Sequence, residues 1–253
     1  MLNPPLNPIY LDHAATTPLR PEVLEAMRPY WGERFGNPSS VHRRGQKARA
    51  AVEGARRVLA ELLGAPPSAV VFTGSGTEAN NLALRGVSDR DPDRRILVTG
   101  TEHDSVTATV AVLAKRGRDV RAIGVDRSGA PDLAAMETAA AERPALISLS
   151  LVNSETGRVA PLGAVAEIAG RTGALLHVDA VQALGKLPPE VIRAIPADLV
   201  TVSGHKIEGP KGVGVLAIKT DASIEPQISG GGQEFGLRSG TENVPAIVGF
   251  ARA

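Results

Sequence analysis

Between positions 69 and 218 one pattern recurs: a short run of mostly apolar, often β-branched residues, followed in most cases by a longer stretch with apolar residues at helical spacing. The runs fall at 69–72, 96–99, 120–125, 146–151, 174–178, 199–202 and 213–218. Strands that are apolar throughout are buried on both faces, and their alternation with helices marks a largely parallel sheet. The expected fold is therefore α/β, a three-layer domain with a central, mostly parallel sheet. Upstream, a helix is expected over about 21–31. A long amphipathic helix then follows the Gly-Asn-Pro-Ser-Ser turn at 36–40, with a serine as its cap. Val41, Ala48, Val52, Ala55, Val58, Leu59 and Leu62 form its apolar stripe, Gly64 closes it, and its arginines read as a solvated face. A last helical stretch covers 244–253.

Ligands of such sheets bind beyond the carboxyl ends of the strands, and the polar residues collect there. The first of these strands runs into Thr73-Gly74-Ser75-Gly76-Thr77, a glycine-rich turn opening a helix, where free N–H groups and the helix dipole suit a phosphate. Many strand-to-helix turns look alike, and this one lacks the lysine of a P-loop and the G-x-G-x-x-G spacing. His103 follows the next strand, either as a helix-start residue or as a ring stacked on a flat cofactor. Asn153 is either a turn residue or a hydrogen-bond partner of a ring substituent or a substrate carboxylate. Asp179 ends an apolar run, where an unpaired carboxylate is costly; it is either a helix cap or the partner of a positively charged ring nitrogen. On the second reading Gln182, a few residues later, would reach the phenolic oxygen of the same cofactor. Lys206, in Ser203-Gly204-His205-Lys206, is either a solvated loop residue or a partly desolvated amine ready to form a Schiff base with pyridoxal phosphate. Taken together, these positions favour the cofactor reading over a set of independent local explanations.

Composition narrows the alternatives. At 253 residues the chain has enough sequence for one large core. A net charge of +1, spread along the sequence, gives no field for nucleic acid or an anionic membrane. No apolar run reaches spanning length, and positions 1–8 lack the pattern of a secretory signal, so a cytoplasmic setting is expected. There is no cysteine, which excludes disulfides, thiolate metal sites and a catalytic thiol from these residues. No metal-ligand cluster stands out.

Several motifs resemble the NifS/IscS-type cysteine desulfurases of the class V aminotransferase group. They are YLDHAATTP at 10–18, GNPSS at 36–40, FTGSGTEANN at 72–81, TEHDS at 101–105, VDAVQ at 178–182, SGHK at 203–206 and GGGQEFGLRSGTEN at 230–243. The resemblance spans almost the whole chain and implies a fold-type I pyridoxal phosphate domain over 18–253, with 1–17 packing on a smaller C-terminal domain. It implies that Lys206 carries the cofactor, His103 stacks on its ring, Asp179 pairs with the ring nitrogen, and Gln182 contacts the phenolic oxygen. Gly76, Thr77, Ser203 and His205 would hold the phosphate, and Asn153 would lie beside ring and substrate. Thr241 matches a threonine that reaches the neighbouring subunit's phosphate, which implies a homodimer. The implied reaction turns L-cysteine into L-alanine and passes sulfur to an enzyme cysteine, for iron–sulfur cluster or thio-cofactor synthesis, with Lys206 and His103 as proton carriers. In the family that cysteine and an arginine for the substrate carboxylate lie on the small domain, beyond the match to Ala253. A scaffold or acceptor protein is therefore an expected partner. The alternatives are a pyridoxal-phosphate-binding scaffold without turnover, or another class V enzyme such as a selenocysteine lyase or aminotransferase.

Overall fold

The computed structural model describes residues 9–253; the signal-sequence reading of positions 1–8, and that part of the 1–17 segment, lie outside them. Helix α1, Pro21–Met27, continues as a 3-10 turn to Tyr30 and matches the expected element. Helix α2, Arg43–Leu63, starts later than the apolar stripe suggests and is capped by His42, whose Nδ1 accepts from the Gly45 N–H at 3.4 Å. The expected serine cap is not used, because the 36–40 turn folds back alongside the helix start instead of leading into it. A Cβ on Gly36 would lie 2.3 Å from the Arg44 carbonyl oxygen, and one on Gly45 would lie 2.2 Å from that of Ser40. Val41 is consequently left outside the helix at 89% exposure, and Val58, also assigned to the stripe, is half-exposed. Gly64 ends α2 at φ 62°, as expected for a left-handed C-cap.

Seven strands form one sheet in the order β1-β7-β6-β5-β4-β2-β3. They are β1 (Val70–Thr73), β2 (Ile96–Thr99), β3 (Val120–Ile123), β4 (Leu146–Ser150), β5 (Leu175–Asp179), β6 (Leu199–Ser203) and β7 (Gly214–Ile218). Each predicted run contains its strand to within a residue or two. The links β3–β2–β4–β5–β6 are parallel, and β7 runs antiparallel between β6 and β1. Because β6 and β7 are antiparallel, with Ser203 paired to Gly214, the segment joining them closes on itself as a hairpin loop that carries Lys206.

The helices make two outer layers. Against one face lie α2, α5 (Leu133–Ala140), α6 (Leu162–Thr172) and α8 (Val244–Arg252), with Leu59, Met136, Ile168 and Phe250 in a core shared with Ile147 and Leu149 of β4. Against the other lie α3 (Gly76–Arg90) and α4 (Asp104–Lys115), with Leu82, Val87, Val106 and Leu113 packed over Leu146 and Leu216. The short helix α7, Pro189–Arg193, buries Ile192 in the first of these cores.

One arginine of α2 departs from the solvated-face reading. Arg56 is 3% exposed and forms a two-point ion pair with the equally buried Glu234, Nη1–Oε2 2.9 Å and Nη2–Oε1 2.8 Å. It also donates to the Val70 carbonyl, while the Phe72 N–H donates to Glu234 Oε2 at 2.7 Å. The guanidinium lies between the rings of Phe72 and Phe235, 4.9 Å from each centroid. Burial alone would lower its pKa, but Glu234 and then Glu53 hold it above its ordinary value. This clamp ties the 230–243 loop to the edge strand β1.

Candidate active site

A cavity of about 270 Å³ opens at the carboxyl ends of β1, β4, β5 and β6. One wall is the head of α3. Ser75 caps that helix, its Oγ accepting from the Glu78 N–H at 3.1 Å, and the Gly76 and Thr77 N–H groups precede the first intrahelical bonds. Close packing forces glycine on one side of this turn and leaves little room on the other. A Cβ on Gly214 would sit 2.4 Å from the Ser75 carbonyl carbon, and one on Gly76 would sit 3.0 Å from Val181 Cγ2.

The floor is Asp179, at the end of β5 and 6% exposed. Its Oδ1 accepts from the Val181 N–H at 2.9 Å and its Oδ2 from Asn80 Nδ2 at 2.7 Å. Burial raises its pKa, with those hydrogen bonds opposing, and the charge of Lys206 reaches it only through space. Asn80 Nδ2 also donates to Ser105 Oγ at 2.8 Å, and Ser105 Oγ lies 2.9 Å from His103 Nδ1. His103 caps α4 through the same nitrogen, which accepts from the Ser105 N–H at 3.0 Å. It is thus both the helix-start residue and a wall of the cavity.

The hairpin loop supplies His205 and Lys206. Lys206 is partly buried, and desolvation lowers its pKa against the opposing pull of Asp12 and Asp179. Its amine donates to the Ala14 carbonyl and, at 2.8 Å, to the Ala15 carbonyl. Gln182 Nε2 donates to the Ala14 carbonyl as well, at 2.8 Å. Residues 14–17 therefore lie at the site, and Thr17 is fixed there by its N–H and hydroxyl, which donate to the His205 carbonyl at 3.0 and 2.9 Å. Burial lowers the pKa of His205, helped by Lys206 and Lys211.

Of the residues singled out in the sequence, Gly76, Thr77, His103, Asp179, Gln182, Ser203, His205 and Lys206 line this one cavity. Two lie outside it. Asn153 is taken up by its own turn: Nδ2 donates to the Thr101 carbonyl at 2.8 Å, and Oδ1 accepts from Glu155 N–H, Thr156 N–H and the Thr156 hydroxyl. Its neighbours Val152 and Ser154 face the cavity instead. Thr241 lines a separate cavity beside Glu234 and Arg238. Asn80 and Ser105 were missed; the available signal was a polar residue interrupting the apolar face of each helix. Among the described residues no cluster of His, Asp and Glu is placed to hold a metal ion, and no helix is long and apolar enough to cross a membrane.

The family model for class-V aminotransferases matches residues 9–253. The chain belongs to the class-V aminotransferase family. It is 47% identical over 248 residues to a cysteine desulfurase of Cereibacter sphaeroides, covering 97% of this chain and 64% of that protein. It is 45% identical over 246 residues to cysteine desulfurase IscS 1 of Archaeoglobus fulgidus, covering 96% and 64%. Among solved structures, a NifS-like protein superimposes with a TM-score of 0.92 at 40% identity, over 96% of this chain and 68% of that one. A structure described as SspA in complex with cysteine gives 0.91 at 37%, over 96% and 71%. The chain thus spans about 64% of the length of these desulfurase sequences.

Class-V aminotransferases depend on pyridoxal phosphate, and the cavity suits that group. Asp179 is a buried carboxylate without a cation in contact, Asn80 Oδ1 is buried with no hydrogen-bond partner, and the head of α3 offers N–H groups to an anion.

Proposed function

We propose that these residues form the pyridoxal phosphate domain of a cysteine desulfurase, which converts L-cysteine to L-alanine and transfers its sulfur to a thiol. The observation that carries this reading is the grouping of a buried carboxylate, a partly desolvated lysine and the open head of a helix around one cavity. The identity to named desulfurases supports the choice of substrate.

The cofactor supplies an electron sink for the carbon bearing the substrate's amino group. Lys206 is the residue that would carry it and, once displaced by the substrate amine, move a proton at Nζ; its lowered pKa leaves more of the amine neutral and able to accept one. Asp179 would pair with the ring nitrogen and keep it protonated. His103 would lie over the ring and Gln182 would reach the phenolic oxygen. Gly76 and Thr77, with Ser203 and His205, would hold the phosphate at the positive end of α3. The reaction balances as L-cysteine plus a thiol giving L-alanine plus a persulfide. With no cysteine among the 253 residues, the receiving thiol belongs outside them.

The same reading assigns 18–253 to the cofactor domain and 1–17 to a segment on which a smaller domain packs. It makes the protein a cytoplasmic homodimer in which Thr241 reaches the partner's phosphate, with a sulfur acceptor serving iron–sulfur or thio-cofactor synthesis. The test is to add pyridoxal phosphate, reduce with borohydride and map the labelled peptide, then supply L-cysteine with an external thiol and measure alanine. A label on Lys206, with alanine and persulfide formed in equal amounts, is expected. A folded chain that takes no label at Lys206 overturns the assignment.

A further inference from the structure

The hydrogen bonds around His103 fix where its proton lies. Nδ1 accepts from the Ser105 backbone N–H, which can only donate, so in the neutral ring Nδ1 carries no proton. The Asn80 amide reinforces this. Asp179 Oδ2 is an acceptor, so the group facing it must be Nδ2, whose second hydrogen points to Ser105 Oγ. With that oxygen accepting from Asn80, the Ser105 hydroxyl directs its own hydrogen to His103 Nδ1 at 2.9 Å. Asn80 and Ser105 are 1% and 7% exposed, so the bond between them is shielded from water, while the His103 ring stands exposed at its end.

We propose that Asn80 and Ser105 are positioning residues that lock His103 as the Nε2–H tautomer and join it to Asp179 in one hydrogen-bonded chain. The proposal rests on the cofactor reading of the cavity for its functional meaning. Under it, neutral His103 presents a donor to the bound group. Accepting a proton at Nε2 requires a change of tautomer first, so of the two proton carriers the resemblance implies, His103 is set to donate and Lys206 to accept. The Asp179 carboxylate is held by the same amide together with the Val181 N–H, so the chain reaches from His103 to one of its two oxygens.

The test uses the chain with ring-15N-labelled histidine, measured before and after pyridoxal phosphate is added. His103 is assigned among the five histidines by the signals lost in His103→Gln. Before addition, Nδ1 is expected at the unprotonated position and Nε2 at the protonated one. In Asn80→Ala and Ser105→Ala, which leave the Ser105 backbone N–H as the donor to Nδ1, the two shifts are expected to move part of the way toward each other. A proton on Nδ1 in the parent chain, or unchanged shifts in either folded variant, overturns the proposal. If Asn80→Ala does not fold, Ser105→Ala decides alone. Since the first reading needs no cofactor, failure to label Lys206 and failure of the tautomer lock are separate results.

Discussion

Replacing Arg56 by alanine tests the clamp on the 230–243 loop. The variant leaves the Glu234 carboxylate buried with the Phe72 N–H as its remaining donor, and it removes a cation from between two aromatic rings. Breaking a buried pair from one side costs roughly 3–5 kcal/mol, mostly the cost of the stranded charge. For a chain of this size that corresponds to about 6–20 °C in Tm. The loop has its own strain to offset: Glu234 and Phe235 sit at φ 48° and 60°, where non-glycine residues carry roughly 1–2 kcal/mol each. Glu234→Ala is expected to cost a comparable amount. The double variant Arg56→Met/Glu234→Leu should recover most of either loss, because it strands no charge. Urea unfolding of the three variants is the assay. Single variants within about 1 kcal/mol of the parent, or a double variant as unstable as the sum of the two, would refute the reasoning.

Three further outcomes follow from buried groups and close contacts. Burial pushes Glu102 up from 4.5 to about 7 despite donors from Thr99 and Ser150, so the unfolded chain ionises it first and its contribution falls as pH rises from about 4.5 to 7. The stability of the parent relative to Glu102→Gln should drop by about 3 kcal/mol across that window, and a difference independent of pH in urea unfolding would contradict it. His177 is fully buried between Ser148 Oγ at 2.8 Å and Thr201 Oγ1 at 3.0 Å, and burial lowers its pKa to about 3. Its NMR signals should stay those of neutral imidazole down to pH 5, while the stability it lends is lost as pH falls from about 6.5 toward 3; a midpoint near 6.5 in the folded chain rules this out. Gly214→Ala places a methyl against the Ser75 backbone, and overpacking of this kind costs roughly 1–3 kcal/mol. Because the displaced turn is the head of α3, pyridoxal phosphate should bind at least tenfold more weakly in an absorbance titration, and unchanged binding would argue against a phosphate there.

The strands were legible because β4, β5 and β6 are buried on both faces and mostly apolar, and such runs have few other uses. Asp179 and Lys206 were legible for the opposite reason: each is a charged residue at the end of such a run, where it is costly to bury without a purpose. Arg56 was not, since an arginine on an amphipathic helix looks solvated until its partner, far along the sequence, is placed beside it. The start of α2 was missed because Val41 fits a helical stripe that the turn of Gly36 and Gly45 forbids. Asn80 and Ser105 were hidden within helical runs, and their roles depend on contacts among α3, α4 and β5. Asn153 shows the converse: a polar residue at a strand end whose side chain is used up by its own turn.

The antiparallel placement of β7 bears on the order in which the chain acquires its site. The β6–β7 hairpin pairs residues close in sequence, so the loop with Lys206 forms from local contacts and is expected early in folding. The head of α3 belongs to the other end of the sheet's sequence and reaches the hairpin only when Val70 and Phe72 of β1 register against Ala217 and Val215. Lysine and anion-binding turn thus become neighbours in the strand pairing that closes the longest loop, and its loop entropy is expected to place it last. During synthesis the chain has no place for a phosphate beside Lys206 until β7 has emerged, and a ligand that bridges the two would favour the finished sheet over every earlier intermediate.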